Sequence, residues 1–194
     1  MTLRIGVLVS GRGTNLQAVL DACATGRLDA TVVLVGANRS GIPALERAVR
    51  AGVPVLVAPA RAHGSPAAAQ DAIAAALVAA QVGVVVLAGF DQVLADGFFT
   101  ALGGIDVINV HPSLLPAFGG AGMVGDRVHA AVLESGVTET GCTVHRVLPG
   151  PIDGGPILLQ RRVPVLPGDT TASLAARVLA EEHLALVAAI DLLT

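Results

Sequence analysis

The sequence has no tryptophan and no tyrosine, and only four phenylalanines among its 194 residues. Stacking of bases on aromatic platforms is therefore poorly provided for, and the core must be built from Val, Leu, Ile and Ala. Charge is scarce too: charged residues make up 14% of the chain, the net charge is −3, and no basic run occurs. A nucleic-acid groove needs clustered cations, so that class of partner is disfavoured. Cysteine is limited to Cys23 and Cys142, far apart and without CxxC spacing. They suggest neither a disulfide framework nor a Cys-His metal site, and reduced thiols in a cytoplasmic protein are the expectation. The opening MTLRIGVLVSGRG lacks a long apolar signal region and cleavage site and reads as a first strand.

What the chain has in abundance is apolar residues, 53% of the total. At this length they can fill one domain, expected to span 1–194, with a sizeable core and no disorder. One uncharged segment, AIAAALVAAQVGVVVLAGF at 72–90, approaches membrane-spanning length. Its Ala-rich first half, the break at Gln81-Val82-Gly83 and the flanking Asp71 and Asp91 favour a helix followed by a buried strand.

Apolar runs alternate with helix-length segments along most of the sequence. Strands are expected at 3–10, 31–38, 53–59 and 82–90, with helices at 14–26, 42–52 and 65–80. Ser65 suits an N-cap and Pro66 a first helical position. The strands are continuously apolar, as when both sheet faces are covered, which points to a doubly wound, mostly parallel α/β sheet. After Gly104 the rhythm changes. A short helix fits 126–134, while 140–148 and 155–165 read as consecutive strands, an antiparallel addition at one edge. A closing helix is expected from Thr170 to Leu193, capped by Asp169 or Thr170.

Two places carry chemistry. SGRGTN (10–15) lies between the first strand and first helix, where backbone N–H groups can hold an anion. Gly11 and Gly13 permit tight turning, and Thr14 and Asn15 add side-chain donors. Position 16 is Leu where a dinucleotide fingerprint needs glycine, and no Walker lysine follows, so a monophosphate is favoured over a dinucleotide or triphosphate. An ordinary βα turn is the plain alternative. The second place is INVHPSLLPAF (108–118). In an extended chain Asn109 and His111 share a face, and Pro112 keeps His111 extended. An amide and an imidazole aimed together beyond a strand's C-terminal end suit an oxyanion in acyl transfer. Asp153, in PIDGGP, is a third candidate: its two glycines allow close approach to a ligand, and its carboxylate would favour a protonated His111. An Asx turn is the alternative there. His63, His129, His145 and His183 are scattered without metal-ligand spacing, no G-x-S-x-G elbow occurs, and Cys142 lies in an apolar strand pattern.

SGRGTNLQAV (10–19), VVVLAGF (84–90), INVHPSLLPAF, TGCTVHRV (140–147), IDGGPILLQ (152–160) and RVLAEEH (177–183) together resemble, in order and over nearly the whole chain, the phosphoribosylglycinamide formyltransferase family of purine biosynthesis. The resemblance implies formyl transfer from 10-formyltetrahydrofolate, a co-substrate and not a bound cofactor, to the amine of a ribonucleotide monophosphate, with no metal. It implies a catalytic trio of Asn109, His111 and Asp153. Gly11, Gly13, Thr14, Asn15 and Glu182 would hold the ribonucleotide. Pro66, Asp91, Gln92, Val93, Leu94, Asn109, Pro149, Gly150 and Ile152 would form the folate pocket. On this reading 1–104 is the ribonucleotide half and 105–194 the folate-binding and catalytic half. The partners are the two small molecules, with no nucleic acid and no membrane, and the chain acts as a monomer or homodimer.

Two departures bear on folate affinity: Asp91-Gln92 stands where the family often has Met-Arg, and Pro66 replaces an Arg of some members. The segment GGAGMVGDRVH (119–129) resembles a family variant able to close over the site. Formyltetrahydrofolate hydrolases and methionyl-tRNA formyltransferases share the trio. The former lack the Gly-rich first loop and carry a further N-terminal domain; the latter need a C-terminal domain and a basic surface. A catalytically silent nucleotide-binding module is the non-enzyme alternative.

Overall fold

The structure, a computed structural model, describes residues 2–194. Its first half follows the expected alternation: β1 (Leu3–Val9), α1 (Thr14–Ala24), β2 (Ala30–Ala37), α2 (Pro43–Arg50), β3 (Val55–Val57), α3 (Ala60–His63), α4 (Pro66–Ala79) and β4 (Val84–Leu87). Then come α5 (Asp96–Leu102), β5 (Asp106–His111), α6 (Asp126–Ser135), β6 (Glu139–Arg146), β7 (Ile157–Pro164) and α7 (Thr171–Asp191). The short α3 and α5 have no counterpart in the periodicity. Helices of four and seven residues are too brief to show an apolar stripe.

The strands form one seven-stranded sheet in the order β3-β2-β1-β4-β5-β6-β7. β1 to β5 pair in parallel, and β6 and β7 are added antiparallel at the β5 edge. The chain runs outward from β1 to β3, then returns to start again at β4. The β1–β4 seam is thus the topological switch point, whose C-terminal crevice is where open α/β sheets take ligands.

Burial explains the continuously apolar strands. Val7, Val9, Val84, Val86, Ile108 and Val110 face one layer, built on Leu16, Val19, Leu174, Leu186 and Ile190 of α1 and α7. Their strand neighbours Leu8, Val85, Leu87 and Val107 face the other, against Ile73 and Leu77 of α4 and Phe98 and Leu102 of α5. Each strand alternates between two cores, so neither parity needs to be polar. Gly6 suits this packing, since a Cβ there would lie 2.3 Å from Leu77 Cδ2 and would make that side chain shift.

Segment 72–90 resolves into the rest of α4 and the buried β4, and no helix among the described residues is long and apolar enough to cross a membrane. Ser65 caps α4, its Oγ accepting from Ala68 N–H at 3.1 Å, with Pro66 in the first turn. Thr170 caps α7 in a reciprocal box with Ser173.

Candidate active site

The C-terminal ends of β4 and β5 open into a cavity of about 530 Å³, closed laterally by residues 120–125, Leu148 and residues 150–153. Asn109 and His111 both line it, at the end of β5 as the strand pattern requires. Asp153 lines it from the β6–β7 connection. Its Oδ2 lies 3.5 Å from His111 Nδ1, and its Oδ1 lies 3.5 Å from Nε2 of a second histidine, His145.

His145 is a site residue that the sequence reading left among scattered histidines. It sits on β6 directly opposite Asn109 in the antiparallel register. Its Nδ1–H donates to the Arg146 carbonyl at 3.0 Å, which turns Nε2 toward Asn109 Nδ2, 3.3 Å away, and toward the Asp153 carboxylate. The Asn109 amide, which also lines the cavity, keeps an N–H for a ligand. Only the β5–β6 pairing joins these two positions, 36 residues apart, and no local motif announces it.

Asp153 accepts from Gly120 N–H at 2.9 Å, a bond to a distant loop and not the Asx turn of the alternative reading. Burial works to raise its carboxyl, but hydrogen bonding from His145, the Gly120 amide and the nearby His111 outweigh it and hold it below the usual carboxylate range. The backbone at Asp153 is left-handed, with φ of 55°. Gly154 and Gly155, the glycines that follow, do not line the cavity. A Cβ on Gly155 would lie 1.9 Å from the Arg146 carbonyl oxygen, so this glycine lets the loop press against β6 and carry Asp153 back over the strand.

The turn after His111 is fixed by buried polar groups. Thr143 Oγ1 donates to the Ser113 carbonyl at 2.7 Å and accepts from Leu115 N–H at 3.0 Å. Gln160 Nε2 donates to that hydroxyl and to the Leu115 carbonyl, both at 2.9 Å, while Ser113 Oγ donates to the Ala117 carbonyl. So braced, the turn presents the Phe118 carbonyl to His111 Nε2–H at 2.9 Å. Both nitrogens of the His111 ring therefore face acceptors, an arrangement suited to a ring that donates twice.

Gly13 caps α1 in the left-handed conformation, and a Cβ there would meet Ala44 Cβ at 2.6 Å. Gly11, Gly13 and Thr14 leave the helix N-terminus open for an anion, with no side-chain cap on it. Asn15 turns inward and its Nδ2 donates to Glu182 Oε2 of α7 at 2.8 Å, leaving its buried Oδ1 without a partner. Burial raises the Glu182 carboxyl above its ordinary value, with the Asn15 hydrogen bond only partly opposing. Of the expected folate residues, Asp91, Gln92, Val93, Leu94, Asn109, Gly150 and Ile152 line the cavity, and Pro66 and Pro149 do not. Pro66 is occupied in starting α4. Cys142 is fully buried and its thiol is pushed up to about 12, chiefly by burial, which removes it as a nucleophile. Among the described residues no group of His, Cys, Asp and Glu could hold a metal ion.

A sheet whose switch-point crevice holds an anion loop beside an amide–imidazole–carboxylate cluster can now be set against known proteins. The model of the formyl transferase family matches residues 3–190. The chain belongs to the formyl transferase family. Within it, the chain is 39% identical over 181 residues to the phosphoribosylglycinamide formyltransferase of Escherichia coli strain K12, covering 93% of this chain and 82% of that protein. A crystal structure of glycinamide ribonucleotide transformylase 1 from Symbiobacterium toebii superposes with a TM-score of 0.91 at 46% identity, covering 99% of this formyl transferase chain and 87% of the other. The human trifunctional purine biosynthetic protein adenosine-3 is 39% identical over 97% of this chain, which spans only 18% of that protein's length.

Proposed function

We propose that this formyl transferase moves a formyl group from 10-formyltetrahydrofolate to the amine of 5'-phosphoribosylglycinamide in de novo purine biosynthesis, yielding phosphoribosyl-N-formylglycinamide and tetrahydrofolate. The observation that carries the reading is the Asp153 carboxylate, 3.5 Å from both His111 and His145 on the wall of a cavity that Asn109 also lines. The ribonucleotide phosphate sits on the N-terminus of α1, held by Gly11, Gly13, Thr14 and Asn15, and its ribose meets Glu182. The donor occupies the cavity, against Asp91 to Leu94 and the loop at Gly150 and Ile152.

The amine attacks the formyl carbon, so no protein nucleophile is needed. A C–N bond forms and the carbonyl oxygen becomes an anion on a tetrahedral carbon. The free N–H of Asn109 and an N–H of protonated His111 donate to that oxygen. At His111 Nε2 the oxyanion takes over from the Phe118 carbonyl, so segment 118–125 gives way when the donor is bound. Asp153, kept anionic by His145, Gly120 and His111, holds His111 charged and accepts the proton lost by the attacking amine. The oxyanion then collapses to the new carbonyl as the bond from the formyl carbon to the folate nitrogen breaks, and the proton held by Asp153 is relayed to that nitrogen, so that tetrahydrofolate leaves and Asp153 is an anion again.

The test follows donor absorbance with and without the ribonucleotide. Consumption only when phosphoribosylglycinamide is present is the expected result. Equal consumption in its absence would make the chain a hydrolase. Tight ribonucleotide binding with no turnover would make it a binding module.

A further inference from the structure

The donor cavity has an uneven charge inventory. Among the described residues no arginine or lysine lines it; its carboxylates are Asp91 and Asp153, and the remaining titratable side chains are His111 and His145. The Arg39 guanidinium reaches its rim through Asp91: it is paired with the Asp91 carboxylate, and its Nε donates to Asn38 Oδ1 at 3.2 Å. Asp91 is fixed in turn. Asn38 Nδ2 donates to its Oδ1 at 2.7 Å, and its own backbone N–H donates to Ser10 Oγ at 3.1 Å. Burial works to raise this carboxyl, but Asn38, Ser10 and Arg39 hold it below the ordinary range, so it is an anion at neutral pH.

The adjoining wall is tied down without charge. Gln70 of α4, only 2% exposed, donates from Nε2 to Gln92 Oε1 at 3.2 Å and to the Val93 carbonyl at 3.0 Å. Its Oε1 accepts from Ala95 N–H at 2.8 Å. The Gln92 side chain is thus held through its oxygen by a buried neighbour, and what it presents to the cavity is uncharged.

A folate donor carries an uncharged pterin and aminobenzoyl body and a glutamate tail with two carboxylates. Moving a carboxylate from water onto this wall is unfavourable unless a cation meets it, and a fixed anion at the rim opposes it further. We propose that Asp91 is a specificity residue: by holding Arg39 it leaves the donor site without an available cation. The donor is then bound through its uncharged body, and its tail carboxylates add no affinity. This rests on the reading of the cavity as the 10-formyltetrahydrofolate site.

The experiment measures kcat/KM at saturating ribonucleotide for three donors: 10-formyltetrahydrofolate, its triglutamate, and the bis-amide in which both glutamate carboxylates are neutral. The three values should agree within about threefold, the spread left by exposed and screened charges. A bis-amide slower by about tenfold or more, with the other donors turning over normally, overturns the inference while leaving the function intact. Failure of every donor would instead defeat the donor assignment itself. Asp91→Asn releases Arg39, and should turn this indifference into a preference of roughly three- to tenfold for carboxylate donors over the bis-amide, suppressed by salt. A donor ratio unmoved by that variant overturns the role of Asp91. Because each ratio is taken within one protein, partial loss of folding cancels.

Discussion

At the scale of single residues, the site rests on two carboxyls driven in opposite directions. Asp153 is held below the ordinary range by hydrogen bonding and nearby rings, so it is ready as an anion. Asp153→Asn keeps the shape and loses the charge; kcat should fall by about 10²- to 10⁴-fold, the usual share of a positioned proton-transfer group. The KM for the ribonucleotide should hardly move, since the phosphate loop is untouched, and an unimpaired kcat would remove Asp153 from the chemistry. Glu182 is the reverse case, raised mainly by burial. A carboxyl that binds its proton more tightly folded than unfolded makes stability fall as pH rises from the ordinary carboxylate range through the raised value. Glu182→Gln removes that liability and can still accept from Asn15. Its Tm should therefore exceed the parent's at pH 8 by roughly 2–4 °C for each kcal/mol relieved. The advantage should vanish below about pH 4, where Glu182 is protonated in both states. The same variant should bind ribonucleotide more weakly, so thermal melts across pH beside ribonucleotide titration show stability traded for function. A Tm advantage independent of pH would sink the account.

At the scale of elements, the parts legible in the sequence were those encoded locally. Asn109 and His111 are two residues apart on one strand, so their shared face follows from strand geometry alone. Ser65, Pro66 and Thr170 start helices by short-range chemistry and could be read in place. What could not be read depends on register. His145 reaches Asn109 only because β6 pairs antiparallel with β5 in one alignment, and Thr143 and Gln160 brace the turn after His111 from two further strands. Gln70 was hidden differently, as a buried polar residue inside an Ala-rich helix whose partners lie in a loop. The β6–β7 pairing offers a direct check on this layer. A Cβ on Gly141 would sit 2.0 Å from the Arg161 carbonyl oxygen, against backbone that has nowhere to go. Gly141→Ala should therefore cost about 1–3 kcal/mol by denaturant unfolding, the range for overpacking. Because β6 also carries Thr143 and His145, activity of the surviving folded fraction should fall as well. Unchanged unfolding and unchanged activity together would show that the strands tolerate sliding.

At the scale of the whole molecule, the substrate path explains why the first and last helices meet where they do. The proposed phosphate loop follows β1 and the proposed formyl-transfer centre ends β5, with β4 between them. Two strand spacings separate them, about 10 Å, a span suited to a ribonucleotide with its phosphate at one end and its amine at the other. The ribose would lie over the Asn15–Glu182 contact, which joins α1 to α7 and so ties the beginning of the chain to its end. Ribonucleotide binding should consequently stabilise the entire fold. At about a hundredfold excess over Kd the gain is about 2.7 kcal/mol, which at this chain length raises Tm by roughly 5–10 °C. Asn15→Ala removes the amide that positions Glu182 for the ribose and leaves that carboxyl unpaired, so its own melting point shifts. The informative quantity is the further rise on adding ligand, measured from each variant's baseline at one ligand concentration. That rise should be largely lost in Asn15→Ala and fully kept in Asp153→Asn. A rise retained in Asn15→Ala would place the ribonucleotide elsewhere. A rise lost in Asp153→Asn would mean that the catalytic carboxylate is needed to bind the acceptor, and the separation of phosphate grip from formyl chemistry along the sheet would fail.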